Sequence, residues 1–470
     1  MKKQTKTVLI LAAVLVVLFG VYFVLFNGSE STDDSETVIR SEKLENIASV
    51  VIENEGGTFT FSHDGDTWTY LEDTTFPVNS AFLESMEKGV TEVRAKRRVK
   101  KDLTDKAEFG LDKPQSIVTV KLNDGSSFHI YVGAENQTTT DYYIVCDGVD
   151  GIYSTKDTYA RRFCRTILDM ASKKLIPDVD IAEVSSIKAQ TPDESFDVVY
   201  VEDGASVYYT DKVNRFVLAD GKYYSSSDKL AKALKDAIVN LSLDQCIAYK
   251  PTEQQLAEYG LKDPRRCFEL TYKDGGQECT SVIKIGNEMT LQNKEGISVK
   301  NTVVYFEKED IVFISNNENM AELMDMSIAT LRSPRVSKVE FEEIDAIDLS
   351  TPQEKHTIEL VRSTDKDLQG DDMTVVSYKL DGTAVEDDLW DITYVINSMN
   401  ADSFPDQEVE VPEEADAEIV FTRNSCGDTT VTIRYYKFDN NFYLVEVDGY
   451  EGFLVNRKDV ENLIVQIENY

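Results

Sequence analysis

The segment Phe109-Gly110-Leu111-Asp112-Lys113-Pro114 recurs 150 residues later as Tyr259-Gly260-Leu261-Lys262-Asp263-Pro264. The surroundings recur with it. Each copy follows a helical pattern and a polar stretch. Each precedes an apolar strand, an Asp-Gly turn (Asp124-Gly125; Asp274-Gly275), a second strand and a glycine (Gly133; Gly286). An aromatic and a leucine around Gly predict a chain bend packed into a core, and the Pro biases the residue before it toward an extended strand entry. The element also admits a second reading, as a recognition loop.

Working outward, Phe82, Met86, Val90 and Val93 fall at helical spacing before the first copy, and Leu230, Leu234, Ile238 and Leu241 before the second, opened by Ser226-Ser227-Asp228 with a Ser as N-cap. A third set, Leu389, Ile392, Ile396 and Met399, opens a third, divergent repeat that continues through strands at 417–422 and 430–433. Its run from Phe442 through Asp448-Gly449 to Phe453 parallels that from Tyr142 through Asp147-Gly148 to Ile152. Val411-Pro412 stands near the place of the missing Gly-Leu-x-x-Pro. Nine of the 23 glycines directly follow Asp, and Asp-Gly between apolar runs is a strong hairpin signal because type I′ turns require positive φ. Antiparallel sheets follow, and a doubly wound nucleotide-binding fold is unsupported.

The N-terminus reads differently. Thr7 to Phe26 is a 20-residue run whose only ionisable group is Tyr22, and 15 of its residues are Val, Leu, Ile or Phe. A helix of that length spans about 30 Å, the thickness of a bilayer core. Lys2, Lys3 and Lys6 precede it and acids follow, which predicts a cytoplasmic N-terminus and an extracytoplasmic bulk. A cleaved signal peptide is the competing reading, but the apolar run is too long and lacks a small-x-small site.

The predicted architecture is therefore α+β: an N-terminal transmembrane helix followed by three tandem β-rich modules of antiparallel strands, each with a packed helix. Its divisions are a basic tail 1–6, an anchor 7–26, an acidic linker 27–43, and modules 44–175, 176–332 and 333–470.

The chain has 470 residues with 85 acidic and 49 basic side chains, a net charge of −36. Such a surface repels phosphate backbones, so nucleic acid is not an expected partner. The exception is the basic run Arg94, Lys96, Arg97, Arg98, Lys100 and Lys101, read either as a solvated helix end or as a docking patch for an acidic partner. Six cysteines form no CxxC pair, leaving disulfides and free thiols both open.

Chemistry is sparse. No HExxH, GxGxxG, phosphate-binding GKS/GKT or GxSxG occurs. Of the three histidines, His129 has Val282 at its matching position in the second repeat, and His63 and His356 stand in polar surroundings. All three read as structural, and no catalytic residue, cofactor or metal is assigned. The turns Asp64-Gly65-Asp66, Asp147-Gly148-x-Asp150-Gly151 and Asp448-Gly449-x-Glu451-Gly452 bring carboxylates together as a calcium site would, but none matches an EF-hand loop and turn formation accounts for them without a metal.

The anchor, the strand pair with Trp68, the helix, FGLDKP and Asp141-Tyr142-Tyr143-Ile144-Val145-Cys146-Asp147-Gly148-Val149-Asp150-Gly151-Ile152-Tyr153 together resemble the domain of unknown function 4340 family, roughly over 45–328 as two copies. The resemblance implies a membrane-anchored bacterial protein encoded beside gliding-type ABC transporter components, that is, an accessory extracytoplasmic subunit with transport subunits as partners. It implies no catalytic residues. The leading expectation is a non-enzymatic interaction scaffold. The rival is a cell-envelope carbohydrate-binding protein or hydrolase using acidic and aromatic surface groups.

Overall fold

Three strands, Ile47–Asn54, Val184–Gln190 and Ile344–Ser350, organise the molecule, and each begins in the same way. A single 3-10 turn leads in: Leu44–Asn46, Ile181–Glu183 and Phe341–Glu343. The residues that then point into the core are Ile47, Val50 and Ile52; Val184, Ile187 and Ala189; Ile344, Ile347 and Leu349. A regular strand buries every second residue. Here the first step is three, because in all three strands the register shifts one residue after the start, at Ile47/Ser49, Val184/Ser186 and Ile344/Ala346. A β-bulge absorbs one residue and restores the alternation.

The computed structural model describes residues 36–292, 296–366, 372–386, 390–405, 409, 411–424 and 427–470. Each organising strand is flanked on one side by its hairpin partner (Gly57–Asp64, Ser195–Tyr200, Lys355–Lys366). On the other side lies the first strand of a second meander (Ser116–Leu122, Arg266–Asp274, Ala417–Arg423), also antiparallel. The result is an eight-, a nine- and an eight-stranded sheet, with a small two-stranded sheet of Thr37–Ser41 and Glu92–Ala95 beside the first.

The helices connect the two meanders and cover the sheets. Ser80–Thr91 buries Phe82, Met86, Gly89 and Val90, and the Asn79 side chain accepts from the N–H of Ala81 and Phe82. Asp228–Val239 buries Ala231, Leu234 and Ile238 and is capped by Ser227, whose Oγ accepts from Leu230 N–H at 3.3 Å. Such caps contribute about 1 kcal/mol each. Trp390–Ser398 takes the same place in the third sheet, burying Ile392 and Ile396. Val93, grouped with the first helix by spacing, lies instead in strand Glu92–Ala95, where it is fully buried.

The expected α+β class is corrected. The fold is mostly β, 45% strand against 21% helix in four sheets, because the Asp-Gly hairpins carry most of the chain and the helices are short covers. The expected transmembrane helix 7–26, the tail 1–6 and the linker up to residue 35 lie outside the described residues. Among the described residues no helix is long and apolar enough to cross a membrane, so they lend the expected spanning helix no support.

The chain divides between Lys173 and Lys174 into two compact units. The first holds the eight-stranded sheet of residues 47–155. The second holds the other two large sheets, joined by one hydrophobic cluster in which Tyr208, Tyr209 and Phe216 pack with Ile344, Phe421, Val447 and Phe453.

Candidate functional site

The Gly-Leu-x-x-Pro elements are helix terminators. Lys106–Phe109 is a 3-10 turn that ends at Gly110 with φ of +66°. Gly110 N–H donates to Ala107 O at 3.2 Å and Leu111 N–H to Lys106 O at 2.9 Å, the paired closure of a Schellman-type cap. The second copy repeats it: helix Glu253–Glu258, Gly260 at φ +70°, Gly260 N–H to Ala257 O at 3.1 Å, Leu261 N–H to Leu256 O at 2.8 Å. Past each proline the next N–H returns to the sheet, Gln115 to Val132 O at 2.7 Å and Arg265 to Ile285 O at 2.8 Å.

Phe109 and Leu111 are buried with Val145 and Ile152, and Leu261 with Val303, Tyr305 and Ile314, Tyr259 packing alongside. The facing strand bulges there, at Val132/Glu135 and Ile285/Glu288. Gly133 and Gly286 sit at these bulges, where a Cβ would approach the carbonyl oxygens of Phe109 and Tyr259 to 2.3 and 2.2 Å. Phe109, Gly110, Leu111, Pro114, Tyr259, Gly260, Leu261 and Pro264 thus serve chain reversal and packing. In the third sheet Ala417 pairs with Tyr435, and the next position, equivalent to Gly133 and Gly286, is the buried Tyr436, with no register shift along Thr430–Lys437 and Phe442–Val447. The terminator and the bulge glycine are lost together.

The basic run lies in strands rather than at a helix end. Arg94 belongs to Glu92–Ala95 and pairs with Glu92. Lys96 meets Asp141 at 3.1 Å, and Lys100 pairs with Asp105. Arg97, Arg98 and Lys101 are exposed and have no ion-pair partner among the described residues. Among the described residues Arg97–Lys100 is the last strand of its sheet, paired only with Ile152–Thr155. Gly151 permits that pairing, since a Cβ there would meet Lys100 O at 2.4 Å.

Each histidine is engaged within its own sheet. His129 Nδ1 lies 2.7 Å from Asp147 Oδ2, His356 Nδ1 3.0 Å from Asp381 Oδ2, and the His63 ring packs 4.7 Å from that of Trp68. The backbone N–H of Thr357, and then His356, hold the Asp381 carboxyl below the usual range. The acidic turns diverge rather than converge: Asp147 faces His129, Asp448 pairs with Arg434 at 3.1 Å, and Glu451 turns inward. Among the described residues no group of three or more His, Cys, Asp or Glu is placed to hold a metal ion.

Glu451 anchors a buried network that the sequence does not announce. Its side chain is 0% exposed and that of its partner Arg332 6%, the two meeting at 3.1 Å. Tyr208 Oη and Ser225 Oγ, from the preceding sheet region, also donate to Glu451 Oε1. The Arg332 guanidinium lies against the rings of Tyr224 at 4.3 Å and Phe404 at 4.0 Å. Nearby, Arg423 donates to Glu343 at 3.1 Å and to the Tyr209 carbonyl at 2.5 Å, and Lys338 N–H donates to Tyr209 Oη at 2.8 Å. Burial pushes the Tyr208 phenol well up. The only hint in the sequence is the Asp448-Gly449-x-Glu451-Gly452 turn, whose carboxylates are grouped but match no metal-binding loop.

In the first unit a cleft of about 400 Å³ is lined by Glu36, Lys88, Glu92, Arg94, Tyr159 and Arg162 among others. Its charges are largely engaged: Glu36 accepts from Lys156 N–H at 3.3 Å and Arg162 donates to Ser85 O at 2.7 Å. In the second unit a cleft of about 280 Å³ lies beside Arg335, Glu340, Phe341 and Tyr394.

No curated protein and no solved structure matches the chain. Residues 68–264, from Trp68 to the second proline of the repeated element, match the family model described as Domain of unknown function (DUF4340), and that segment is a member of the DUF4340 family.

Proposed function

We propose that the chain is a non-enzymatic interaction scaffold working outside the cytoplasm as an accessory of an ABC-type transport assembly, and that it meets its partner through the first unit. The association with transport rests on what the family resemblance implies. The observation that carries the interaction surface is local: on a chain of net charge −36, Arg97, Arg98 and Lys101 stand exposed at the edge of a sheet, with no ion-pair partner among the described residues. Complementary charge steers encounter and selects partners, so such a patch favours an acidic one. The most specific repeated residues, meanwhile, are absorbed by helix termination and packing.

A carbohydrate-binding or hydrolytic reading calls for carboxylates facing one another across an aromatic-walled cleft. The cleft richest in acids interleaves them with Lys88, Arg94 and Arg162 and has Tyr159 as its one aromatic wall. The scaffold reading is tested by photo-crosslinking from position 101 in cells followed by identification of captured chains. Recovery of transport subunits, reduced in an Arg97→Glu/Arg98→Glu chain, is the expected result. Recovery of no partner at all counts against it.

A further inference from the structure

We propose that strand Arg97–Lys100 takes up an acidic, extended segment of a partner protein as an added antiparallel strand. The inference rests on the scaffold reading above and specifies its partner. Three observations carry it.

The first is the open edge. Among the described residues Arg97–Lys100 ends its sheet, and its backbone is paired on one side only. An edge of this kind offers N–H and C=O groups to an incoming strand. Four residues span about 13 Å, enough for a ladder of four or five partner residues.

The second is the pattern of pairing within the run. Arg94, Lys96 and Lys100 are held by Glu92, Asp141 and Asp105, while Arg97, Arg98 and Lys101 are exposed without ion pairs among the described residues. Val99 and Leu103 are exposed beside them, at 39% and 42%. Exposed cations flanking an exposed apolar residue, Val99, are complementary to an extended segment that carries both acidic and apolar residues.

The third is an internal control. Short, charged, bulged edges commonly serve only to prevent aggregation, and Arg97–Lys100 does bulge, with Val99 lacking a Cα partner in Ile152–Thr155. The topologically equivalent edge in the second large sheet is Gln245–Tyr249, which pairs with Ile311–Asn316 and carries no charge within the strand. The fold therefore does not require cations at this edge. Their presence in one copy alone points to recognition.

The test uses the full chain and a fluorescein-labelled peptide of eight residues alternating Glu and Val, followed by anisotropy. Saturable binding is expected, weakening about tenfold for Arg97→Glu/Arg98→Glu and changing less than about threefold for Arg97→Lys/Arg98→Lys. It should also weaken as salt is raised. The same peptide N-methylated at alternate residues keeps its charge but cannot form the ladder, and its binding should be lost. Equal binding of the methylated peptide, or none of either up to about 1 mM, a free energy near −4 kcal/mol, overturns strand addition. Binding to phosphatidylglycerol vesicles through the same arginines, with no peptide binding, also overturns it. If the peptide fails while crosslinking still captures a partner, the added strand falls and the scaffold reading stands; if crosslinking fails too, both fall.

Discussion

Gly133 faces the carbonyl oxygen of Phe109 so closely that a Cβ at 133 would stand 2.3 Å from it, and Gly286 stands in the same relation to Tyr259 at 2.2 Å. Backbone on both sides leaves nothing flexible to move. Gly286→Ala should therefore destabilise the second unit by about 1–3 kcal/mol, the range for overpacking. Gly452→Ala is the control. Its added methyl meets Pro405 and Leu444 at 3.6 and 3.7 Å, ordinary contact distances, and should change stability by less than about 0.5 kcal/mol. Urea unfolding of the two variants decides this, and equal costs would refute the steric account.

Glu451 and Arg332 form a buried pair in which neither charge reaches water. Removing one partner of such a pair leaves the other uncompensated and costs about 3–5 kcal/mol, whereas replacing both with apolar groups is often neutral. Glu451→Ala should thus lower the unfolding midpoint of the second unit sharply, and Glu451→Leu/Arg332→Met should recover most of the loss. Tyr208→Phe, which removes one of the donors to Glu451, should cost about 1–2 kcal/mol. A double variant no better than Glu451→Ala would show that the pair does not act as a unit.

The repeats, hairpins and helices were legible because their signals are local. Asp-Gly turns, a Ser cap in Ser226-Ser227-Asp228 and the spacing of Leu230, Leu234 and Ile238 each act within a few residues. The partner of Glu451 was not, since Tyr208 lies 243 residues away and no periodicity links them. Nor was the strand character of 94–100 visible, because a run of Lys and Arg masks the two-residue alternation that marks a strand. The +3 step between Ile47 and Val50 was readable in principle: an apolar pattern that breaks period two at the same offset in three places is the signature of a bulge. The balance of classes was misjudged because helices were given equal weight with sheets they only cover.

Lys338 supplies a pH dependence of known sign. Burial pushes its pKa from 10.5 down to about 8, with Arg335 and Arg332 reinforcing the shift and Glu451 opposing it. A folded-state value below the unfolded one means the unfolded chain binds more protons between about pH 8 and 10, so this group adds stability as pH rises through that window. Cys267, Tyr208, Tyr209 and Tyr435, all raised by burial, act in the opposite sense at high pH. The informative quantity is therefore the stability difference between the native chain and Lys338→Met. It should move in favour of the native chain from pH 8 to 10, and a difference independent of pH would show that Lys338 keeps an ordinary pKa.

Cys146, Cys164, Cys267 and Cys279 are free thiols, which resolves for them the alternative left open by the sequence; Cys426 lies outside the described residues. The thiolate is the reactive species, so burial that raises a thiol's pKa also protects it. Desolvation pushes Cys146 to about 12 and Cys164 to about 11. Cys279 lies half-buried near the start of strand Gln277–Gln292, next to exposed Glu278 and Thr280. Iodoacetamide at pH 8 should therefore label Cys279 first in the native protein, with Cys146 and Cys164 modified only after urea is added, as read by peptide mass spectrometry. Rapid native labelling of Cys146 would mean that strand Tyr142–Cys146 opens readily, and with it the edge that carries Arg97 and Arg98, since Ile152–Thr155 joins the two.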